Sequence, residues 1–276
     1  MVFWLTNFNN ASAESHAGSY LSAIHAEKKF DFVSASQFYS NGLRIEPTNQ
    51  KLLLGAIRSN ISSGKFDKAK LYSKNLVKIG SHTPISSLMI LADEIKNENF
   101  EKAKSLLEKP DQFNFFLKAM LTGWVEIGSG NIEKGLDYFE NSENAKRLGY
   151  ISQNHLGLAL ALVGNFEKAD FILSNTSNGA SIDRRDMAIA HAQIMAQLGK
   201  NKEAVKMLDK FLVGNENNKM SKLRRAIDAG APVSFDYLSS PKEGAALALY
   251  TIANAINKED DYSLSLIYAQ LVSHIN

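Results

Sequence analysis

Gly64-Lys65-Phe66-Asp67-Lys68-Ala69 is the phrase on which the reading of this chain turns, because it keeps returning. It appears earlier as Phe30-Asp31-Phe32-Val33-Ser34-Ala35 and later as Glu98-Asn99-Phe100-Glu101-Lys102-Ala103. It follows again as Gly130-Asn131-Ile132-Glu133-Lys134-Gly135, Gly164-Asn165-Phe166-Glu167-Lys168-Ala169 and Gly199-Lys200-Asn201-Lys202-Glu203-Ala204. The large residue, or Asn in the last case, falls at 32, 66, 100, 132, 166 and 201, in steps of 34, 34, 32, 34 and 35. Self-similarity at such a period marks a stack of equal structural units.

Each unit reads as two helices around a turn. Leu156, Gly157, Leu160 and Ala161 carry a helical period before Gly164, and Phe166, Ala169 and Leu173 carry one after it. Glycine at the junction can take positive φ and close the first helix. The small residue three positions after the aromatic lets the two helices approach closely. Helices this short are marginal alone, so each pair must bury its apolar stripe against the next, as solenoids do.

Two helices per 34 residues, with small and aromatic positions in this order, resemble tetratricopeptide repeats. In the first unit the pattern is carried by Ala23, Phe30 (where Gly is usual), Phe32, Ala35, Tyr39 and Pro47, and in the fifth by Gly157, Gly164, Phe166 and Ala169. The resemblance runs from about residue 16 to 213. It implies an all-α, right-handed superhelical solenoid of antiparallel helix pairs, about seven in number, with an insertion before the last.

Departures from the pattern carry their own expectations. Asn201 replaces the aromatic and should loosen the sixth seam, whereas Phe66, Phe100 and Phe166 should fill equivalent ones. Gly135 replaces Ala, at a cost of about 0.5–1 kcal/mol inside a helix. Pro110 should end a helix early, since it lacks an N–H and clashes with the preceding turn. Residues 214–241 read as an insertion with a short helix (Met220, Leu223, Ile227), and residues 242–276 as a seventh pair. That last stretch is similar to longer alphaproteobacterial repeat arrays, in which further repeats follow. Self-association through an uncapped C-terminal end, or a longer array, is therefore expected. Residues 1–15 read either as a flexible start or as the remnant of an export signal ending near Ala11-Ser12-Ala13, which leaves cytoplasm and periplasm both open.

Composition narrows the function. With 45% hydrophobic and 22% charged residues the chain can bury a core. The balance of 31 Lys plus Arg against 29 Asp plus Glu argues against wholesale nucleic-acid binding, which needs a basic face. No run approaches the ~20 apolar residues of a membrane span. The absence of Cys removes disulfides, thiolate ligands and a Cys nucleophile. No two of the six His form a pair at i, i+4, and no Gly-x-Ser-x-Gly elbow or complete phosphate loop occurs, so neither catalytic residues, metal nor cofactor is expected. Lys219, Lys222, Arg224 and Arg225, and also Arg184 and Arg185, read first as solvated charge and second as contacts to an acidic partner.

The resemblance places the first helices of successive units along a concave groove. The inward positions are Tyr20 and Ile24, Leu54 and Arg58, Leu88 and Ala92, Met120 and Trp124, Asn154 and Leu158, Ile189 and Gln193, then Tyr250 and Asn254. The set is aromatic, aliphatic and amide in character, with one Arg, and implies a non-catalytic scaffold holding an apolar or helical peptide. Trp124 is the expected anchor, with packing between units as its alternative role. A module serving a larger enzyme complex is the other function left open.

Overall fold

The computed structural model describes residues 16–110, 112–141, 149–176, 184–212, 218–257 and 261–276; the expected signal remnant and residues 214–217 of the expected insertion lie outside these. Fifteen α-helices and no strand occur among the described residues. Six pairs follow the period: α1 (His16–Lys28) with α2 (Phe32–Ile45), α3 (Gln50–Ser62) with α4 (Phe66–Lys78), and α5 (Pro84–Lys96) with α6 (Phe100–Leu107). They continue as α7 (Phe115–Gly128) with α8 (Ile132–Glu140), α9 (Tyr150–Leu162) with α10 (Phe166–Asn175), and α11 (Arg184–Gln197) with α12 (Asn201–Asp209). Then come α13 (Lys219–Asp228), α14 (Pro241–Asn257) and α15 (Tyr262–Ile275).

The recurring phrase sets the boundaries. Phe32, Phe66, Phe100, Ile132, Phe166 and Asn201 are each the first residue of a second helix. Just before them, Gly64, Gly130, Gly164 and Gly199 have φ between 70° and 87°. Phe30 and Glu98 take the same left-handed conformation, at 59° and 56°, where a side chain is strained. Every junction then closes by one backbone bond, such as Lys65 N–H to Asn60 C=O (2.8 Å) and Asn165 N–H to Leu160 C=O (2.9 Å). This six-to-one bond satisfies a carbonyl that the ended helix would otherwise orphan.

Two compact units result, residues 1–86 and 87–276. In the first, α1 to α4 bury Tyr39, Leu52, Leu53, Ile57, Ile61 and Leu76 completely or nearly so. The Tyr39 hydroxyl donates to Glu27 at 2.9 Å.

In the second unit, α6 stops at Leu107, ahead of Pro110, as the sequence predicts. Phe100 is buried but Phe66 and Phe166 are only half-buried, so the expected equivalence of the seams does not hold. Gly135 also differs from expectation. A Cβ there would lie 2.6 Å from the Gly123 carbonyl oxygen, so only glycine lets α8 come this close to α7. Helix α13 caps α11 and α12 through Met220 and Ile227, and begins with a capping box between Asn218 and Ser221.

The seventh pair forms where it was read, but its seat is different. Helix α14 packs on α7 and α9, not beyond α13. The last helix, α15, buries Ile267, Tyr268, Leu271, His274 and Ile275 within the chain. The reason is the connector. Residues 231–240 run without regular structure back from α13 toward α7, delivering α14 onto helices already stacked.

Candidate functional site

Helix α11 presents Ile189, Gln193 and Gln197 at helical spacing, one above the other. Across this stripe lies the connector. The Gln193 carboxamide oxygen accepts from the backbone N–H groups of Asp236 (3.2 Å) and Tyr237 (3.0 Å). Its amide nitrogen donates to the Asp236 carboxylate. The Gln197 amide donates to the Val233 carbonyl. Val233 and Tyr237 rest against the apolar cluster of Ile189, Ala192, Leu208, Met220 and Ile227. The Phe235 ring meets Phe166 edge-on at 6.3 Å. Two glutamines thus hold the connector's backbone, which bends at Tyr237, while Val233, Phe235 and Tyr237 enter apolar contacts. Gln193 is 3% exposed, so its hydrogen bonds are made away from water, where leaving them unmade is costly.

Farther along, α14 roofs Trp124. A Cβ on Gly244 would lie 2.3 Å from the indole carbons, so the helix backbone rests directly on the ring. Trp124 is 0% exposed. Its Nε1–H donates to His155 Nδ1 at 2.9 Å, and its ring lies 5.6 Å from Phe139. The expected groove anchor is therefore enclosed by α7, α8, α9 and α14, packed between neighbouring repeats. Burial pushes His155 down to about pKa 3, so it is neutral, with Nε2 buried and without a hydrogen-bond partner.

The remaining predicted positions divide between the units. Leu88, Ala92, Met120, Asn154, Leu158 and Ile189 are buried in the second unit. Tyr250 and Asn254 lie on α14, the covering helix; Tyr250 lines an open cavity of about 420 Å³ with Tyr237, Leu238 and Lys242. In the first unit the four positions stay accessible. Tyr20, Ile24 and Leu54 are half-buried and Arg58 is exposed. Arg58 lies 3.9 Å from Glu27, which joins α3 to α1, and Tyr20 packs edge-on to Tyr39 at 6.3 Å.

Buried charges outside this stripe are internally matched. Burial pushes the Glu126 carboxyl up, but bonds from Lys134 (2.6 Å), Asn131 (2.8 Å) and Lys104 (3.2 Å) outweigh it and hold it below the usual range. Asp170 follows the same logic, with Lys200 and His191 as donors. Arg224 of the basic cluster pairs with Asp209 (2.9 Å) and Asp228 (2.7 Å). Among the described residues no group of three His, Asp or Glu could hold a metal ion, and no helix is long and apolar enough to cross a membrane.

Sequence reasoning missed Gln197, Phe235, Asp236, Tyr237 and Gly244. A signal was present for the connector. Val233, Phe235 and Tyr237 alternate with Ser234 and Asp236 after Pro232, which is the period of an extended segment with one face covered.

No protein-family model and no curated protein matches the chain. Solved structures do. A tetratricopeptide-repeat protein from Parabacteroides merdae is 18% identical, with TM-score 0.57 over 94% of this chain and 98% of its own. A thermophilic tetratricopeptide-repeat protein from Thermus thermophilus is 17% identical over 78% of this chain and 98% of its own, with TM-score 0.28. The structure of Naa15/Naa10 bound to HypK is matched at 18% identity and TM-score 0.35, over 91% of this chain and 39% of that one. The first of these shows the fold.

Proposed function

With the tetratricopeptide-repeat fold as premise, we propose that the chain is a non-catalytic scaffold that holds other polypeptides on the inner faces of its first helices. One observation supports this reading: α11 already holds a polypeptide segment without helix or strand, the chain's own, through Gln193, a residue expected from the sequence to face a partner. The surface left open for a partner is that of the first unit, where Tyr20, Ile24, Leu54 and Arg58 line α1 and α3. Its chemistry suits an apolar segment carrying an acidic group, which Arg58 would receive by exchanging its long contact to Glu27.

The test is affinity capture from the native lysate with the full chain, read by mass spectrometry, beside an Ile24→Asp, Arg58→Glu variant. Partners retained by the parent should be lost by the variant while helicity is unchanged. An identical set of captured proteins with both chains would end this assignment.

A further inference from the structure

We infer that residues Pro232–Ser240 are a tethered stand-in for an external peptide, and that the α11 stripe takes segments with apolar or aromatic side chains at alternate positions and a bend that turns two successive N–H groups toward Gln193. The inference rests on the reading of the fold as a polypeptide-binding scaffold. Three observations lead to it. The glutamines address main-chain atoms, the N–H of Asp236 and of Tyr237 and the carbonyl of Val233, which any peptide that bends at the same place offers whatever its side chains. Selectivity is left to the alternate side chains: Val233 and Tyr237 against the Ile189 cluster, and Phe235 against Phe166. From Pro232 to Tyr237 the segment has no helix or strand, Pro232, Ser234 and Asp236 stay exposed, and its bonds to α11 are of a kind a separate peptide could make; its far end is anchored by buried Leu238 and by two bonds from Ser239 to Glu243.

Competition then follows from the tether. A covalently linked occupant acts at an effective concentration in the millimolar range for a short linker. The stripe is therefore closed at rest, and a free peptide enters only if it grips more tightly or if something draws the strap away. The favoured partner carries the pattern Val-x-Phe-Asp-Tyr, its Asp meeting the Gln193 amide as Asp236 does.

The test uses the full chain and a fluorescent synthetic peptide with the sequence of residues 231–240. The strap is released by Val233→Ser, Phe235→Ser and Tyr237→Ser together, which leaves Gln193, Gln197 and Phe166 untouched. The peptide should bind the released chain at least ten-fold more tightly than the parent, and adding Gln193→Ala should weaken it ten-fold again. Equal binding to parent and released chain, no binding to either, or indifference to Gln193→Ala would overturn the inference. A second measurement needs no variant. Excess unlabelled peptide should speed deuterium uptake by residues 232–240 of the parent several-fold; unchanged uptake counts against the proposal even if the triple variant misfolds. Because the probe is a defined peptide and the readout is confined to the second unit, failure here is separable from failure of the capture experiment on Ile24 and Arg58.

Discussion

A buried imidazole ties the stability of this protein to pH. His155 accepts from the Trp124 indole N–H and stacks on Phe139 at 5.9 Å, in a place where a charge cannot be solvated. In the unfolded chain the ring takes up a proton near pH 6.5; in the folded chain burial defers this to about pH 3. Its contribution is complete above about pH 6.5 and is lost as the pH falls, at roughly 1.4 kcal/mol per pH unit. His191, Asp170 and Glu126, all shifted downward, act in the same direction. His155→Gln keeps an acceptor for the indole and removes the titration. Its urea midpoint should therefore drop less between pH 7 and pH 5 than that of the parent; equal drops would show that His155 is not the buried base described. Single residues were unevenly legible. Register set Gln193 at an inward position but gave no sign that the chain's own connector takes its hydrogen bonds, and the burial of Trp124 was equally hidden, because an indole at an inward position suits an open groove and a roofed one equally.

Helices and their limits were the most readable level. The first residue of every second helix coincides with a position of the period, because the turn must be a left-handed residue followed by a residue that starts a helix, whichever side chains surround it. What the period could not convey was how near the helices stand. Gly135 looks like a defect in isolation, yet α8 and α7 meet so closely there that a methyl group would meet the Gly123 carbonyl. Gly135→Ala should therefore lower stability by about 1–3 kcal/mol, although helix propensity alone favours alanine. A thermal melt of the variant decides this, and a rise in Tm would mean the helices can part without cost. The seat of α14 was hidden for a related reason. Its own pattern is that of any amphipathic helix, and the feature that directs it, a glycine fitted to an indole far back in the sequence, exists only once both helices are folded.

Across the whole chain, the two units are built on different plans. Residues 1–86 connect each helix mainly to its neighbours in sequence. Residues 87–276 instead fasten their end to their beginning: His274 Nε2 lies 3.5 Å from Asp93, Lys96 Nζ 3.4 Å from His274 Nδ1, and Lys242 Nζ 3.5 Å from Glu98. Such a buckle changes how the second unit bears mechanical load. Pulled in an optical trap by handles at residues 87 and 276, a simple stack would peel from one end in small steps, since each pair leans only on the next. Here tension reaches the clasp between α15 and α5 first, and nothing can peel until it gives. The trace should show one large rip at high force, and a staircase of small ones would mean that the clasp carries no load.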